Sequence, residues 1–376
     1  ALFSGYSFPV HLIGIEKEEP TQYAKTLLQA VVDRFGEDNV RYAQGCELLK
    51  ERGTNTPVFP GDVDSSAVAD RERTSLISRD TSQIQDAVVC ARESDVAIVF
   101  VGDLSGLFQG GTVGEGSDAD SLQLPGVQEE LLAQIIMTRT PTVVVMTCGR
   151  PYALNGLENQ AAAVLMAFQP GQEGAEAIVD LLTGVANPSG RLVVSIPKNV
   201  GAVPFYYNHK LKSGGAPIAY QFGSKYWFGY GLSYTQFEYS ELRIENSQLR
   251  IEDGTVALSF KLQNSGAREG CEVVQVYVRD VYASLVRPVK ELKAFRRVNL
   301  QPNQEASVNF AIPVDMLNFT NLNGQRIVEP GEFEIMVGAS SNDIKLHCRI
   351  EVIGADRVLE RNWRMESQAE VKIVRG

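Results

Sequence analysis

The 376-residue sequence is poor in the residues that mark several classes of protein. It has two Trp, three His and five Cys, and the cysteines are odd in number, scattered and free of any C-x-x-C pair. This pattern gives little support for a metal site or a disulfide framework. The longest apolar run, near residues 161–168, is far shorter than the roughly 20 residues of a membrane-spanning helix. The sequence therefore predicts no membrane span, no metal and no cofactor.

Positive charge is also in deficit. The chain has 35 Lys and Arg against 46 Asp and Glu, a net charge of −11, and such a field repels phosphate backbones and anionic membrane surfaces. Nucleic acid is therefore not an expected partner. Hydrophobic residues at 44% and charged residues at 22% are close to the globular average. The length exceeds what one hydrophobic core usually supports, which favours two domains.

The first half of the chain alternates helix-period segments with short apolar runs, the pattern of strands joined by helical crossovers. Val96–Val101, Thr142–Met146 and Ala163–Phe168 lack polar alternation, as expected for central strands covered on both faces. Amphipathic stripes at residues 131–136 and 178–182 predict one helix between the first two of these strands and another after the third. We therefore expect an α/β sandwich, doubly wound around a mostly parallel sheet.

The second half has a different pattern. Residues 197–234 are rich in Pro, Gly, Lys and aromatic residues without a sustained period, which is typical of a connection between domains. Beyond them, apolar residues alternate with polar neighbours and turn signals recur, which predicts an antiparallel β-sandwich. The expected organisation is an α/β domain over 1–210, a linker over 211–235, a β-sandwich over 236–354, and a C-terminal extension over 355–376 that forms a returning strand or an edge cover.

A long glycine-rich loop over residues 102–126 follows the first predicted strand and precedes a helix. Ligand sites of open α/β sheets lie in this position, beyond the carboxyl ends of the strands. Gly114–Ala119 matches the dinucleotide pattern G-x-G-x-x-A, but its glycines come about a dozen residues after the strand, and Glu115 and Asp118 would repel a pyrophosphate. We interpret that match as accidental. Glu115, flanked by glycines, is instead a candidate acid/base group, although a lone loop Glu is more often a solvated side chain.

Several stretches resemble glycoside hydrolase family 3, and together they cover nearly the whole chain. Those similar to the family's second domain are Gly102-Asp103, Glu115–Asp118, Leu124–Leu131, Gly149–Tyr152, Pro170–Gly174 and Asn187–Leu192. The strongest match is Tyr226–Phe237, which resembles the family signature Phe-Gly-x-Gly-Leu-Ser-Tyr-Thr-x-Phe that leads into a fibronectin type III-like domain. Leu292–Val298 and Pro330–Phe333 resemble strands and turns of that last domain.

The resemblance implies a retaining β-glucosidase that hydrolyses terminal non-reducing β-D-glucosyl residues. It assigns Glu115 as the catalytic acid/base, and Phe108 and Asp118 as candidate substrate-binding residues. Phe108 would stack on a sugar face, but a loop aromatic is as often packed on a neighbouring domain, and an Asp such as Asp118 commonly caps a turn. The family's Asp nucleophile lies in an N-terminal (β/α)8 barrel, which needs about 250 residues and is not recognisable here. We therefore expect this chain alone to be catalytically incomplete.

The expected partners are a β-glucoside or oligosaccharide substrate and the N-terminal barrel of the same enzyme, and the sequence is also compatible with a homo-oligomer. Two alternatives stay open. One is a non-catalytic carbohydrate-binding or domain-assembly module. The other is a β-xylosidase or N-acetylglucosaminidase, since both specificities occur in the same family. The compartment is open as well, with a secreted or periplasmic location slightly favoured over a cytoplasmic one.

Overall fold

The computed structural model describes residues 25–50, 77–104, 111–114, 119–202, 205–211 and 223–375. Its contacts divide the chain into two compact units, residues 1–186 and residues 187–376. Within the described ranges, no helix combines the length and apolar character needed to cross a membrane. The domain limits expected at residues 210, 235 and 354 stay predictions.

The residues of the first unit that the structure describes form a parallel sheet of three strands. Its strands are β1 (Ala97–Gly102), β2 (Thr142–Thr147) and β3 (Ala163–Met166), in the order β1-β2-β3. Each strand is a run of apolar, mostly β-branched residues, which fit a pleated surface covered by other elements. Val144 and Val145 in β2 have no exposed surface. The sheet and its helices confirm the α/β class predicted from the sequence.

In the described part of the first unit, four α-helices accompany this sheet: α1 (Leu27–Phe35), α2 (Ile84–Arg92), α3 (Gln128–Met137) and α4 (Gly174–Leu182). The core between the strands and helices α2 and α3 includes Ile84, Val88, Leu131, Leu132 and Ile135, which are almost fully buried. Helices α1 and α4 pack on each other through a smaller apolar cluster. Their stripes follow the 3.6-residue period, so one face of each helix is removed from water.

Strand β3 differs from the sequence prediction. Its first two residues, Ala163 and Val164, are exposed, and Val164 retains 36% of its accessible surface. Among the described strands, β3 lies at the edge of the sheet and has a neighbour only in β2. An apolar run reports that a strand is hydrophobic, but it does not report the position of the strand in the sheet.

The second unit is a β-sandwich of two main sheets. Their strands are β6 (Phe237–Ile244), β7 (Gln248–Arg250), β8 (Thr255–Asn264), β9 (Gly270–Asp280), β10 (Glu291–Leu300), β11 (Glu305–Pro313), β14 (Gly331–Ser340), β15 (Asp343–Ile353) and β17 (Gln368–Arg375). One sheet has the order β10-β9-β14-β15-β7 and the other β17-β11-β8-β6. Buried and partly exposed residues alternate along β8 and β11, so each strand sends every second side chain into the shared core. This arrangement confirms the predicted all-β domain.

Shorter strands complete the second unit. A two-stranded pair joins β4 (Ile196–Pro197) to β5 (Ser224–Tyr226), and a small sheet has the order β12 (Phe319–Thr320), β13 (Arg326–Val328) and β16 (Arg357–Val358).

The segment Tyr226–Phe237, which carries the strongest family resemblance, contains a glycine that its surroundings require. Gly229 has φ +82°, and a Cβ at this residue would lie 2.1 Å from Gln275 Oε1. The buried Gln275 amide donates to the carbonyl oxygens of Gly229, at 3.2 Å, and of Ala339, at 2.6 Å. A side chain at position 229 would displace that amide, because real Cβ atoms do not approach other atoms so closely.

The C-terminal residues return to the sandwich. Strand β17 pairs with β11 and forms one edge of the four-stranded sheet. Before it, Asp315, with a side chain 2% exposed, accepts from Arg357 Nη1 and from the backbone N–H of Arg364, each at 2.8 Å. These bonds keep the pKa of Asp315 below its ordinary value against the effect of its burial. Trp363, between the two arginines, packs against the sandwich core.

Candidate active site

The carboxyl ends of β1 and β2 meet at one edge of the parallel sheet, and polar residues follow both strands. Asp103 comes directly after β1, and Gly149 and Arg150 come shortly after β2. A Cβ on Gly149 would lie 3.4 Å from Gln169 Nε2, 3.8 Å from Val113 Cγ2 and 3.9 Å from Asp103 Oδ2. Groups from three separate loops therefore converge at this edge, where open α/β sheets place their ligands.

The loop that leaves β1 is clamped at both ends by one buried side chain. Gln128, 4% exposed at the start of α3, accepts from the Gly102 N–H at 2.8 Å and donates to the Gly102 carbonyl at 2.7 Å. Its Nε2 also donates to the carbonyl of Pro125 at 2.9 Å. Because one amide satisfies the backbone on both sides, the residues between Gly102 and Pro125 leave and re-enter the fold at a fixed place.

Inside the loop, two further contacts hold the described residues. The Leu104 N–H donates to Thr112 Oγ1 at 2.9 Å, and the Thr112 N–H donates to the Leu104 carbonyl at 2.6 Å. Farther along, Arg150 Nη1 donates to the Ala119 carbonyl at 2.9 Å. The chain on each side of residues 115–118 is therefore tied to the carboxyl ends of β1 and β2.

Asp103 connects the ends of the two strands. It is 9% exposed, and its Oδ2 accepts from the Gly149 N–H at 2.9 Å and from the Tyr152 hydroxyl at 3.0 Å. Burial raises the pKa of Asp103, while these two bonds and the charge of Arg150 lower it. Burial and the neighbouring Asp103 raise the pKa of the Tyr152 hydroxyl, so it stays a donor. Asp103 therefore positions the backbone of the second loop.

The loop after β3 contributes a strained residue at the same edge. Phe168 has φ +52°, a left-handed conformation that is unfavourable for an aromatic residue. Its carbonyl accepts from the Cys148 N–H at 2.9 Å, and the Ala167 N–H donates to the Met146 carbonyl at 2.9 Å. These two bonds continue the β2–β3 pairing beyond the end of β3. Strained residues cluster at functional sites, where surrounding contacts hold them in place.

The sequence-predicted site residues Phe108, Glu115 and Asp118 lie outside the described residues, so their roles stay predictions. The residues that organise the edge, Asp103 and Gln128, were not singled out as candidates. The position of Asp103 directly after a buried strand was the signal available for it. Nothing in the sequence marked Gln128, because a glutamine in a first helical turn is common. In the described part of the chain, no group of three His, Cys, Asp or Glu side chains could hold a metal ion.

The role of Asp103 leads to a stability prediction. Asp103→Ala should lower the free energy of unfolding by about 2–4 kcal/mol, because the Gly149 N–H and the Tyr152 hydroxyl would be left buried without an acceptor. Asp103→Asn keeps an acceptor oxygen and removes the desolvated charge, so we expect it to stay near the parent chain at pH 7. Urea denaturation of the three proteins measures both effects.

The free energy of unfolding should also depend on pH through the protonation of Asp103. Since burial raises the pKa of Asp103 above its ordinary 3.8, the folded state binds this proton more tightly than the unfolded state. The stability that this tighter proton binding contributes is fully present at low pH, and it is lost as the pH rises through the folded-state pKa of Asp103. The Asn variant should lack this contribution. An Asn variant as unstable as the Ala variant would mean that the two hydrogen bonds are not what Asp103 provides.

Two family models match the chain. The model described as "Glycosyl hydrolase family 3 C-terminal domain" matches residues 3–234, and the fibronectin type III-like domain model matches residues 272–341.

The relatives found among known proteins carry glycosidase names. A periplasmic β-glucosidase of Salmonella typhimurium is 35% identical over 80% of this chain and 40% of its own length. A β-xylosidase of Formosa agariphila is 38% identical over 69% of this chain and 36% of its own length. Among solved structures, a β-glucosidase involved in saponin metabolism from intestinal bacteria has a TM-score of 0.75 at 30% identity, over 89% of this chain and 46% of its own. The chain thus spans less than half the length of these relatives.

Proposed function

This chain belongs to glycosyl hydrolase family 3, and from that premise we propose that it is the C-terminal part of a retaining β-glucosidase and supplies the general acid/base Glu115. The observation that carries the proposal is the anchoring of the loop on each side of that residue. Thr112 is tied to Leu104, and Ala119 is tied to Arg150. A catalytic carboxylate on a long loop needs such fixed supports, because small displacements of a catalytic group are costly in rate.

In the proposed reaction, the Glu115 carboxylic acid protonates the departing glycosidic oxygen while a carboxylate nucleophile attacks the anomeric carbon. The nucleophile comes from a (β/α)8 barrel N-terminal to this chain. A covalent glycosyl-enzyme forms, and Glu115, now a carboxylate, takes a proton from the water that hydrolyses it. Net retention requires the two carboxyl groups to lie about 5–5.5 Å apart.

Within this proposal, Asp103 and Gln128 are positioning residues and do not touch the sugar. Asp103 holds the second loop through the Gly149 N–H, and Gln128 fixes both ends of the first loop. Phe108 is proposed to stack on a sugar face, as aromatic rings do in carbohydrate sites, and Asp118 to bind a sugar hydroxyl. The name of the Salmonella relative supports a periplasmic or secreted location.

The proposal predicts that activity requires the barrel. The 376-residue chain alone should release aglycone from an aryl β-glucoside at the background rate, while a protein in which the barrel precedes it should turn over. Proton NMR of early product should show the β-anomer of glucose. Comparable release by the chain alone, or α-glucose as the first product, would contradict the proposal.

A second candidate is β-xylosidase activity, which the Formosa relative favours. The residues that select the sugar lie largely in the proposed barrel, so the alternative concerns the substrate and not the role of Glu115. An aryl β-xyloside run beside the β-glucoside at equal concentrations decides between them by the ratio of kcat/KM. Absence of turnover on both by the barrel-containing protein would favour a non-catalytic carbohydrate-binding module.

A further inference from the structure

The β-sandwich contains a cavity of about 410 Å³, and all of its lining residues belong to the second unit. The volume lies within the range of small-molecule sites, roughly 300–1,000 Å³. Its walls come from the chain before and within β10, from the segment around β12, from β13, and from the segment that precedes β17. The lining residues used below are Arg287, Glu291, Lys293, Arg326 and Trp363.

The lining is unusually cationic for a chain of net charge −11. Arg287, Lys293 and Arg326 line the cavity with a single carboxylate, Glu291. Two of these cations are largely withdrawn from water, since the side chains of Arg287 and Lys293 are 11% and 14% exposed. Cations are rarely so buried unless they are paired.

The pairing inside the cavity is uneven. The Nη2 of Arg287 donates to Glu291 Oε2 at 2.9 Å and to the Asn318 carbonyl at 3.3 Å. Its buried Nε makes no hydrogen bond and has only the charge of Asp280 nearby, with Oδ2 at 3.7 Å. The Lys293 ammonium has three protons to donate, yet its carboxylate contact among the described residues is one long approach, 3.6 Å to Glu291 Oε1. Glu291 is thus shared by two cations and mainly occupied by one.

Arg326 is held in place without an acidic partner. Its guanidinium lies 5.1 Å from the centre of the Trp363 ring, and its Nη1 donates to Asn318 Oδ1 at 3.0 Å. Among the described residues, no carboxylate oxygen lies within 4 Å of this guanidinium. The ring and the amide orient the arginine and leave further N–H donors available.

The charge of Lys293 is correspondingly unfavourable in these surroundings. Burial lowers its pKa, and Arg287 and Arg326 lower it further, while Glu291 only partly compensates. An anion beside the ammonium would offset this desolvation cost, because charge-assisted hydrogen bonds are roughly twice as strong as neutral ones.

We propose that this cavity binds a small oxyanion, a carboxylate, sulfate or phosphate group, between the Lys293 ammonium and the Arg326 guanidinium. A planar guanidinium beside an ammonium matches the oxygens of such groups. The cavity volume leaves room for a sugar ring that carries the anionic group, so the ligand is either an acidic monosaccharide unit or a free inorganic oxyanion. The site would give the β-sandwich a ligand-binding role that does not depend on glycoside hydrolysis.

Isothermal titration of the 376-residue chain tests the proposal at constant ionic strength in chloride buffer. The titrants are sodium D-glucuronate, inorganic phosphate and neutral D-glucose. Saturable binding of glucuronate or phosphate, without binding of glucose, supports the site. Tighter binding of glucuronate identifies the acidic sugar as the source, and tighter binding of phosphate identifies the free oxyanion. Since the titration measures binding without turnover, its result is independent of the role of Glu115.

Three variants test whether these side chains bind the anion, because one should weaken its binding, one should strengthen it and one should leave it unchanged. Lys293→Met should weaken binding of the preferred anion at least about tenfold, because it removes the charged donor. Glu291→Gln should strengthen binding by about threefold to tenfold, because it removes the carboxylate that competes with the ligand. Lys345→Met is the matched control, since Lys345 is a 40% exposed lysine of β15 paired with Asp343, and it should leave binding unchanged.

If Lys293→Met fails to fold, Arg326→Gln replaces it, because that side chain is exposed and its loss should not disturb the core. Far-UV circular dichroism verifies the fold of each variant. The proposal is overturned if neither anion binds saturably to the parent chain. It is also overturned if affinity falls equally in the Lys293 and Lys345 variants, or if Glu291→Gln weakens binding while the fold is intact.

Discussion

Replacing Glu115 with alanine in a barrel-containing form of the protein is expected to lower kcat for an alkyl β-glucoside by about 10²–10⁴-fold. An alkoxide is a poor leaving group and needs the proton that Glu115 is proposed to donate. A dinitrophenyl β-glucoside needs no such proton, so formation of the glycosyl-enzyme should be nearly unaffected with that substrate. Hydrolysis of that glycosyl-enzyme should still be slow, because the missing Glu115 carboxylate is also proposed to activate the water.

The signature of this variant is therefore a burst of dinitrophenol followed by slow turnover. Added azide, an anionic nucleophile that needs no general base, should accelerate the slow phase. The control is Glu130→Ala, which removes an exposed glutamate from the first turn of α3 and should leave kcat within about twofold, as is usual for surface changes. An equal loss on both substrates without a burst would show that Glu115 acts on folding or sugar binding and not on proton transfer.

Replacing Gly102 with alanine is expected to destabilise the first unit by more than about 3 kcal/mol. The backbone of Gly102 has φ +154°, and a Cβ there would lie 1.8 Å from the Thr147 carbonyl oxygen. That oxygen belongs to the neighbouring strand, so the clash cannot be relieved by rotating a side chain. β1 and β2 would have to separate where Gly102 pairs with Thr147. Single substitutions cause so large a loss of stability by only a few mechanisms, and backbone strain is one of them.

Thermal unfolding and urea denaturation measure this effect, and Gly190→Ala is the matched control. Gly190 has no heavy atom within 4 Å of its ideal Cβ position and no positive φ, so its substitution should change stability by no more than about 0.5 kcal/mol. Because the Gly102 N–H donates to Gln128 and the Gly102 carbonyl accepts from it, Gly102→Ala in a barrel-containing form should lower activity together with stability. A Gly102→Ala protein as stable as the control would mean that the strands tolerate a wider separation than these contacts imply.

The sequence predicted those elements whose cause is local. β1 and β2 were recognised within one residue of their observed ends, because each is an unbroken apolar run bounded by polar residues. The alternation in β8 and β11 predicted the half-buried strands of the sandwich for a similar reason. The exposure of β3 was missed, because hydrophobicity along one strand carries no information about which strands lie beside it.

The arrangement of the candidate active site could be predicted only in outline. A glycine-rich loop after a buried strand indicated where a ligand would lie. It did not indicate that Gln128 would close the loop across 26 positions, or that Arg150 would hold Ala119 across 31 positions. The cavity lined by Lys293, Arg326 and Trp363 was not predicted at all, since these residues are far apart in the sequence and none of them forms a motif.

Sequence motifs and the periodicity within single elements were enough to assign the family and the two fold classes. They also nominate Glu115 as the acid, a role that stays a prediction. Contacts between distant parts of the chain were needed to show how the backbone on each side of residues 115–118 is held, and which cations of the sandwich share one cavity. The difference follows from the distance along the chain over which each cause acts. Propensity and hydrophobic period act over a few residues, whereas an amide that clamps a loop, or an arginine stacked on a tryptophan, finds its partner only after the chain has returned on itself.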